Sequence, residues 1–295
     1  MRVDGRTVIV TGASSGIGRA TAHEFARRRA HVVLASRSRD KLDALASELV
    51  DYPGRRLVVP TDVTERLAVE ALVRRTVEEF GGVDVLVNNA GVGLFAPIAT
   101  GSLDNMHHLF NVNFWGAVHC IQAIVPYMRR QRRGHIVNVS SVAGKVATPY
   151  LGAYSATKFA LTAVSNALRS ELAGTGIGVS TVYPGLTDTS FQENMLREVA
   201  VPDLPAYLRT AGPAAVGRRI VQAVRWSLRD TYVTLADFAA VNAYPLAPAL
   251  ADWALRLFWL GPGARLGVEG TPFEAIGELA EPPAADALEP PSESS

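Results

Sequence analysis

The chain has 295 residues, and its 29 basic and 28 acidic side chains give a formal net charge of +1 at pH 7. This balance argues against a nucleic-acid partner, because proteins that bind nucleic acids usually carry a clustered basic excess. Hydrophobic residues make up 48% of the chain, which is enough to bury a large core. A single cysteine, Cys120, excludes an internal disulfide framework and a cysteine-rich metal site.

No leader or membrane-spanning segment is expected. Residues 7–10 already form a strand-like run, so the start of the chain lacks the apolar stretch of a secretory signal. The most apolar late segment, 238–251, contains two prolines and is shorter than the ~20 residues of a spanning helix. The histidines show no metal-binding spacing. We therefore expect a cytoplasmic protein without a bound metal.

Short β-branched runs alternate with longer amphipathic stretches over residues 1–235. This alternation is typical of βαβ units and predicts the α/β class, with a doubly wound parallel sheet covered by helices on both faces. The predicted strands are residues 7–10, 32–35, 57–59, 83–87, 135–139, 179–182 and 232–235. The predicted helices are residues 19–29, 41–50, 67–80, 106–130, 154–172 and 216–228.

Two further segments follow. Residues 236–277 form an apolar C-terminal extension, expected to be helical, with an aromatic cluster at Trp253 and 257–260 crossed by an Asp252–Arg256 pair at helical spacing. The extension could enlarge a substrate pocket, form a subunit interface or make peripheral contact with a membrane. Residues 278–295 combine acids and prolines without a basic or aromatic residue, so we expect a disordered tail.

A glycine-rich turn follows the first predicted strand and opens the first helix. Glycine permits a tight turn and lets backbone N–H groups approach a pyrophosphate, and the helix N-terminus adds a favourable dipole. Its position near residue 10 is typical of dinucleotide-binding proteins, although the glycine spacing is G-x-x-x-G-x-G. The candidate phosphate-binding residues are Gly12, Ser14, Ser15, Gly16, Ile17 and Gly18.

The end of the second strand bears on the choice of cofactor. An acid there binds the ribose of NAD, whereas an arginine suits the 2′-phosphate of NADP. Here Arg37 and Arg39 follow the strand, and no acid occurs before Asp40. The sequence therefore favours NADP(H) over NAD(H), with Arg37 as the phosphate ligand. Asp62 and Val63, after the third strand, are candidates to meet the adenine.

A second motif combines Ser141, Tyr154 and Lys158. The four-residue step from Tyr154 to Lys158 places both on one face of a helix. A free tyrosine has a pKa near ~10, and an adjacent ammonium favours the phenolate. Such a tyrosine can exchange a proton with a substrate oxygen, and Ser141 could hydrogen-bond the same oxygen.

Taken together, these motifs resemble the short-chain dehydrogenase/reductase family over residues 4–235. The matching pattern is Thr11-Gly12-x-x-x-Gly16-x-Gly18, Asn88-Asn89-Ala90-Gly91, Asn113, Ser141, Tyr154-x-x-x-Lys158 and Pro184-Gly185. The segment 140–154 also resembles the hydroxysteroid dehydrogenase branch of that family. The resemblance implies a Rossmann fold of about seven parallel strands, a nicotinamide cofactor and a homodimer or homotetramer.

The resemblance also assigns roles. Tyr154 is the catalytic acid/base, Lys158 lowers its pKa and holds the nicotinamide ribose, and Ser141 orients the reacting oxygen. Asn113 holds a water that links Lys158 to solvent. The cofactor is lined by Asn89, Ala90, Gly91, Pro184, Gly185 and Thr187. Residues 187–211 form a lid whose apolar side chains, Phe191, Met195, Leu196, Val199, Leu204, Tyr207 and Leu208, suggest a hydrophobic substrate.

The resulting hypothesis is an NADP(H)-dependent oxidoreductase that interconverts a carbonyl and an alcohol on a small apolar substrate. NAD-linked alcohol oxidation by the same family is the alternative. A binding protein that senses the cofactor without chemistry is a third possibility, although such proteins tend to lose the tyrosine or the lysine.

Overall fold

The computed structural model describes residues 1–189, 191, 195–199 and 211–260. The expected disordered tail, 278–295, therefore lies outside the described residues, and so does the part of the extension after residue 260.

Seven parallel strands form one sheet in the order β3-β2-β1-β4-β6-β7-β9, which confirms the predicted doubly wound α/β fold. The order reverses between β1 and β4, the place where such sheets bind ligands at the carboxyl ends of their strands. A separate two-stranded sheet pairs β5 with β8. The strands are β1 Thr7–Thr11, β2 His31–Ser36, β3 Arg56–Pro60, β4 Val85–Asn88, β5 Leu94–Phe95, β6 Gly134–Val139, β7 Ile177–Tyr183, β8 Leu196–Arg197 and β9 Asp230–Tyr232.

Helices cover both faces of the large sheet. In β1, Val8 and Val10 join the core cluster that includes Phe25 and Ile220, whereas Ile9 joins the opposite cluster with Leu72 and other helical residues. This alternation follows from the two-residue period of a strand. The helices are α1 Gly16–Ala26, α2 Arg39–Glu48, α3 Arg66–Phe80, α4 Leu103–Phe110, α5 Gly116–Gln131, α6 Gly152–Glu171, α7 Pro213–Trp226, α8 Leu235–Ala243 and α9 Pro248–Leu260.

Several predicted elements differ from the structure in their bounds, and two of these differences have a physical reason. The long helix predicted over 106–130 begins earlier, as α4, and a π-helical turn at Asn111–Trp115 joins it to α5. The last strand ends at Tyr232 rather than at residue 235, because Thr234 caps α8. The Thr234 side chain accepts from Asp237 N, while the Asp237 carboxylate accepts from Thr234 N, so these residues are committed to a helix start.

The C-terminal extension is helical in its described part. Large apolar side chains of α8, α9 and the turn between them are exposed, among them Leu235, Leu246, Leu250 and Trp253. Asp252 accepts a hydrogen bond from the Tyr244 hydroxyl at 3.1 Å, whereas the side chains of Arg256 and 258–260 lie outside the described part. Over the described residues, no helix has the length and apolar character needed to cross a membrane.

Candidate active site

The predicted phosphate turn lies at the carboxyl end of β1. Gly12 has φ +65° and Gly16 has φ +51°, backbone conformations that favour glycine. A Cβ on Gly18 would overlap the carbonyl oxygen of Gly12, so the first turn of α1 packs directly on the loop. Ser15 is the N-cap of α1 but makes no capping bond with its side chain, which leaves the helix N-terminus open. This cradle fits a pyrophosphate.

The remaining residues of the turn keep its shape. Ile17 packs against the core, whereas Ser14 is half-buried and Ser15 is exposed. Thr11, which the sequence analysis did not select as a site residue, accepts hydrogen bonds from the backbone of Asn89 at 3.0 Å and of Ala90 at 3.1 Å. These bonds join the β1 turn to the segment after β4. The signal that could have identified Thr11 is its hydroxyl at the last position of a buried strand.

The Asn89–Gly91 segment closes the second side of the cradle. The Asn89 side chain donates to the carbonyl oxygens of Thr11 at 3.0 Å and Gly12 at 3.3 Å. A Cβ on Gly12 would stand 2.9 Å from both Ala90 Cα and Asn89 Nδ2. A Cβ on Gly91 would stand 3.1 Å from Asn113 Oδ1 and 3.6 Å from Lys158 Nζ, so this glycine leaves space between those two side chains.

The residues predicted to select the cofactor lie at the ends of β2 and β3. Arg37 is exposed and makes no salt bridge with another described residue, whereas Arg39 pairs with Asp43 at 3.4 Å. Burial acts to raise the pKa of Asp62, but hydrogen bonds from Thr64 and the charge of Arg37 outweigh it and hold that pKa below its usual value. Val63 is buried beneath α5, so its side chain serves the core.

Ser141, Tyr154 and Lys158 are brought together beyond the carboxyl end of β6. Ser141 begins a short 3₁₀ turn, Val142–Gly144, and its hydroxyl donates to Pro184 O at 3.3 Å. Tyr154 and Lys158 lie on α6, one turn apart, with Lys158 Nζ 5.7 Å from the centre of the Tyr154 ring. Lys158 is buried, and its ammonium donates to Val139 O at 3.1 Å.

Burial sets the acidity of this pair. It raises the pKa of Tyr154 to about 12, and a hydrogen bond with Ser141 acts in the opposite direction. It also lowers the pKa of Lys158 to about 8. Both shifts favour the neutral form of each group, because a buried charge loses its hydration. The direction for Tyr154 is opposite to the lowering expected from a neighbouring ammonium, because desolvation dominates here.

Asn113 lies in the π-helical turn and is buried. Its side chain accepts from Val92 N at 2.8 Å and donates to Val92 O at 2.9 Å, and it also donates to Thr157 on α6 at 3.2 Å. Asn113 therefore ties α6 to the segment after β4. A π turn adds a residue to the helix and is frequent at functional sites. Sequence analysis did not identify Val92 and Thr157 as its partners, because no local pattern marks them.

The Pro184–Thr187 turn follows β7 and meets the Ser141 turn. Pro184 O accepts from Val142 N at 2.9 Å as well as from the Ser141 hydroxyl. Thr187 donates to Gly185 O at 3.1 Å and forms an isolated parallel bridge with Ala211. The two turns are thus fixed to each other by hydrogen bonds.

Described residues of the predicted lid lie close to Tyr154 and to Gly93. The Phe191 ring lies 5.7 Å from the Tyr154 ring, and Met195 is so close that a Cβ on Gly93 would stand 2.9 Å from its Cε. Pairing of β5 with β8 fixes this part of the lid. Leu196 and Val199 lie next to it in sequence, with Leu196 exposed and Val199 half-buried. The predicted lid residues Leu204, Tyr207 and Leu208 lie outside the described residues.

Comparisons with known proteins agree with this fold. The family model described as short chain dehydrogenase matches residues 6–200. A 3-oxoacyl-[acyl-carrier-protein] reductase of Thermotoga maritima is 37% identical over 208 residues, which cover 70% of this chain and 85% of that protein. A short chain dehydrogenase/reductase of Burkholderia phymatum, solved in complex with NAD, matches with a TM-score of 0.78 at 26% identity, covering 91% of this chain and 100% of that one. An alcohol dehydrogenase of Thermococcus sibiricus, complexed with 5-hydroxy-NADP, matches with a TM-score of 0.68 at 27% identity, covering 77% and 94%.

Proposed function

The chain belongs to the short-chain dehydrogenase/reductase family, and we propose that within it the protein is an NADP(H)-dependent reductase of carbonyl groups on apolar substrates. It is an oxidoreductase with a nicotinamide cofactor. The observation that carries the finer proposal is the position of Ser141, Tyr154 and Lys158 together, beside the glycine cradle and under Phe191.

Tyr154 is the proton donor of the proposed reaction. With a pKa of about 12, its phenol is protonated at neutral pH, which is the form that carbonyl reduction requires. The bound nicotinamide would supply the hydride. Ser141 orients the reacting oxygen through the hydroxyl that also bonds to Tyr154, and Lys158 holds the nicotinamide ribose. The reverse reaction, alcohol oxidation, requires the phenolate, which burial disfavours.

Asn113 has a supporting role in this proposal. Its bonds to Val92 and Thr157 fix the wall next to Lys158. The absence of a side chain at Gly91 leaves room for a water between Asn113 and Lys158. Such a water can replace the proton that Tyr154 gives to the substrate, by way of Lys158.

Arg37 supports NADP(H) as the cofactor. Its guanidinium is exposed at the end of β2 and has no ion-pair partner among the described residues, so its N–H groups are free to bind a 2′-phosphate. Ser36, the preceding residue, has a buried hydroxyl without a hydrogen-bond partner in the described part of the chain. In the sequence, no acid follows β2 before Asp40.

A fluorescence titration with NADPH and NADH tests the cofactor assignment. We expect the native chain to prefer NADPH by at least about tenfold, or ~1.4 kcal/mol. Arg37→Ala should remove most of that preference. Arg39→Ala is the matched control, because Arg39 is already paired with Asp43. Equal binding of both cofactors, or a preference that depends on Arg39, would contradict the assignment.

The substrate assignment depends on the lid. The Phe191 ring lies against Tyr154 and Met195 packs on Gly93, so an apolar ketone or aldehyde is expected to bind better than a charged one. NAD-linked alcohol oxidation is the second candidate, favoured by the similarity to the Burkholderia structure that contains NAD. A preference of the native chain for NADH in the titration would favour it.

The proposal also covers the oligomeric state and the division of the chain into segments. We expect a homodimer or homotetramer, as the family resemblance implies, and light scattering of the purified chain tests the oligomeric state. A cytoplasmic location stays a separate prediction. The division into a catalytic domain over 1–235, an extension over 236–277 and a tail over 278–295 also stays a prediction. Apolar residues of α9 are exposed, so a subunit interface and a membrane surface both stay candidate contacts of the extension.

A further inference from the structure

The first helix of the extension, α8, lies against the turns of the proposed active site. It contacts the 3₁₀ turn Val142–Gly144, which directly follows Ser141. It also begins just after β9, the strand that pairs with β7. Since β7 ends at Tyr183, the carboxyl ends of β7 and β9 bring α8 next to Pro184 and Gly185.

Asp237 is fixed in place by the capping box of α8. Its Oδ2 accepts from Thr234 N at 2.9 Å, and its own N–H donates to the Thr234 hydroxyl at 3.0 Å. The second carboxylate oxygen, Oδ1, faces Gly185. A Cβ on Gly185 would overlap this oxygen and stand 3.0 Å from Asp237 Cγ.

The close approach of the Asp237 carboxylate explains why residue 185 is a glycine. Gly185 is absent from the residues of positive φ, so its backbone does not itself require glycine. Asp237 cannot rotate away without losing the bond from Thr234 N, and a helix cap contributes about 1 kcal/mol. The carboxylate and the Pro184–Gly185 turn consequently fit each other as a close steric pair.

A row of rings ties the same two elements together. Tyr183 stacks on Tyr232 at 5.4 Å, and Tyr232 meets Phe238 of α8 edge-on at 5.4 Å. The Tyr183 hydroxyl donates to Asp230 at 3.2 Å. Lys145 Nζ lies 5.1 Å from the centre of the Tyr183 ring. The position of α8 is thus fixed relative to the last residue before Pro184.

We propose that Asp237 is a positioning residue for the nicotinamide side of the cofactor site, acting through its contact with Gly185. This inference rests on the proposed function and on the expectation, from the family resemblance, that Pro184, Gly185 and Thr187 line the cofactor. A displacement of that turn would move Pro184 O, which accepts from Ser141, and Thr187, which bridges to Ala211. The beginning of the extension is therefore part of the cofactor site.

A double-mutant cycle between Gly185 and Asp237 tests the contact. We expect Gly185→Ala to weaken NADPH binding more than tenfold, because the added methyl group displaces the turn. Asp237→Ala alone should weaken binding only a few-fold. The double variant should bind within a few-fold of Asp237→Ala, because the space vacated by the carboxylate accepts the methyl group. Recovery of this kind is a coupling that independent sites do not show.

Thr234→Ala provides the matched control. It removes the other half of the capping box but leaves the Asp237 carboxylate next to Gly185. Combined with Gly185→Ala, it should not restore binding. Restoration by Thr234→Ala would show that loosening of α8 is sufficient, and it would overturn the specific role of Asp237.

The urea midpoint of each variant serves as a second measurement, since it does not depend on the cofactor. A midpoint that Gly185→Ala lowers in the native background, but not in the Asp237→Ala background, supports the contact even where binding is too weak to measure. An NADPH affinity of Gly185→Ala equal to that of the native chain, or a defect that persists in the double variant, overturns the inference. Failure of the native chain to bind either cofactor refutes the proposed function, and the inference with it.

Discussion

Replacing Lys158 with methionine should stabilise the fold at neutral pH while it abolishes turnover. Burial lowers the pKa of Lys158 from 10.5 to about 8. Between these values the unfolded chain binds more protons than the folded chain, so the stability of the native protein rises with pH across this window. Below pH ~8 the buried ammonium therefore costs stability, and methionine of similar length removes that cost.

The magnitude follows from the shift. At about 1.4 kcal/mol per pKa unit, the change from 10.5 to about 8 corresponds to roughly 3 kcal/mol at pH 7. The substitution also removes the hydrogen bond to Val139 O, at a cost of about 1 kcal/mol. We expect a net gain of about 2 kcal/mol at pH 7, and no gain at pH ~10.

Urea denaturation followed by tryptophan fluorescence at both pH values measures this difference. Lys41→Met is the matched control, because Lys41 is exposed on α2 and should show no difference that depends on pH. A Lys158→Met variant that is no more stable than the native chain at pH 7 would refute the reasoning. The reasoning would also be refuted if Lys158→Met exceeded the native chain in stability by the same amount at pH ~10 as at pH 7.

Three further outcomes are expected. Gly18→Ala should lower NADPH affinity more than tenfold, because its methyl group would overlap Gly12 O. Gly212→Ala should not lower it, because the space around Gly212 is open among the described residues. Equal NADPH affinities of the two variants would contradict this. Asp84→Asn should lower the free energy of unfolding in urea by about 2–3 kcal/mol, because the buried carboxylate binds Thr7 N, Arg6 and Arg133. Asp43→Asn, at an exposed position, should lower it by less than ~0.5 kcal/mol. Burial raises the pKa of Cys120 to about 12, so the native thiol should resist Ellman's reagent until urea unfolds the chain; rapid labelling of the folded protein would count against its burial.

The sequence predicts the sheet well, for a physical reason. Buried parallel strands are short β-branched runs, and the turns after β1, β4 and β6 carry glycine, asparagine and serine at the edge where those strands end. Since the strands are parallel, all three turns meet at one edge. The four-residue step places Tyr154 and Lys158 on one helix face, as the structure shows.

Other features depend on packing that no local pattern specifies. The π turn at Asn111–Trp115 is hidden in the sequence, because the apolar residues on both sides fit one continuous helix. The direction of the Tyr154 pKa shift depends on burial by distant segments, including Phe191. The contact of Gly185 with Asp237 joins two elements that meet only because β7 and β9 are adjacent.

The most direct test of the proposed reaction compares Tyr154→Phe with the native chain in NADPH-dependent reduction of a panel of apolar ketones and aldehydes. The variant keeps the ring that packs against Phe191 and loses the hydroxyl that gives the proton. We expect it to bind NADPH as the native chain does and to lose more than 99% of turnover, about two orders of magnitude or more. Turnover retained at the native rate, with the same cofactor affinity, would contradict the assignment of Tyr154 as the proton donor.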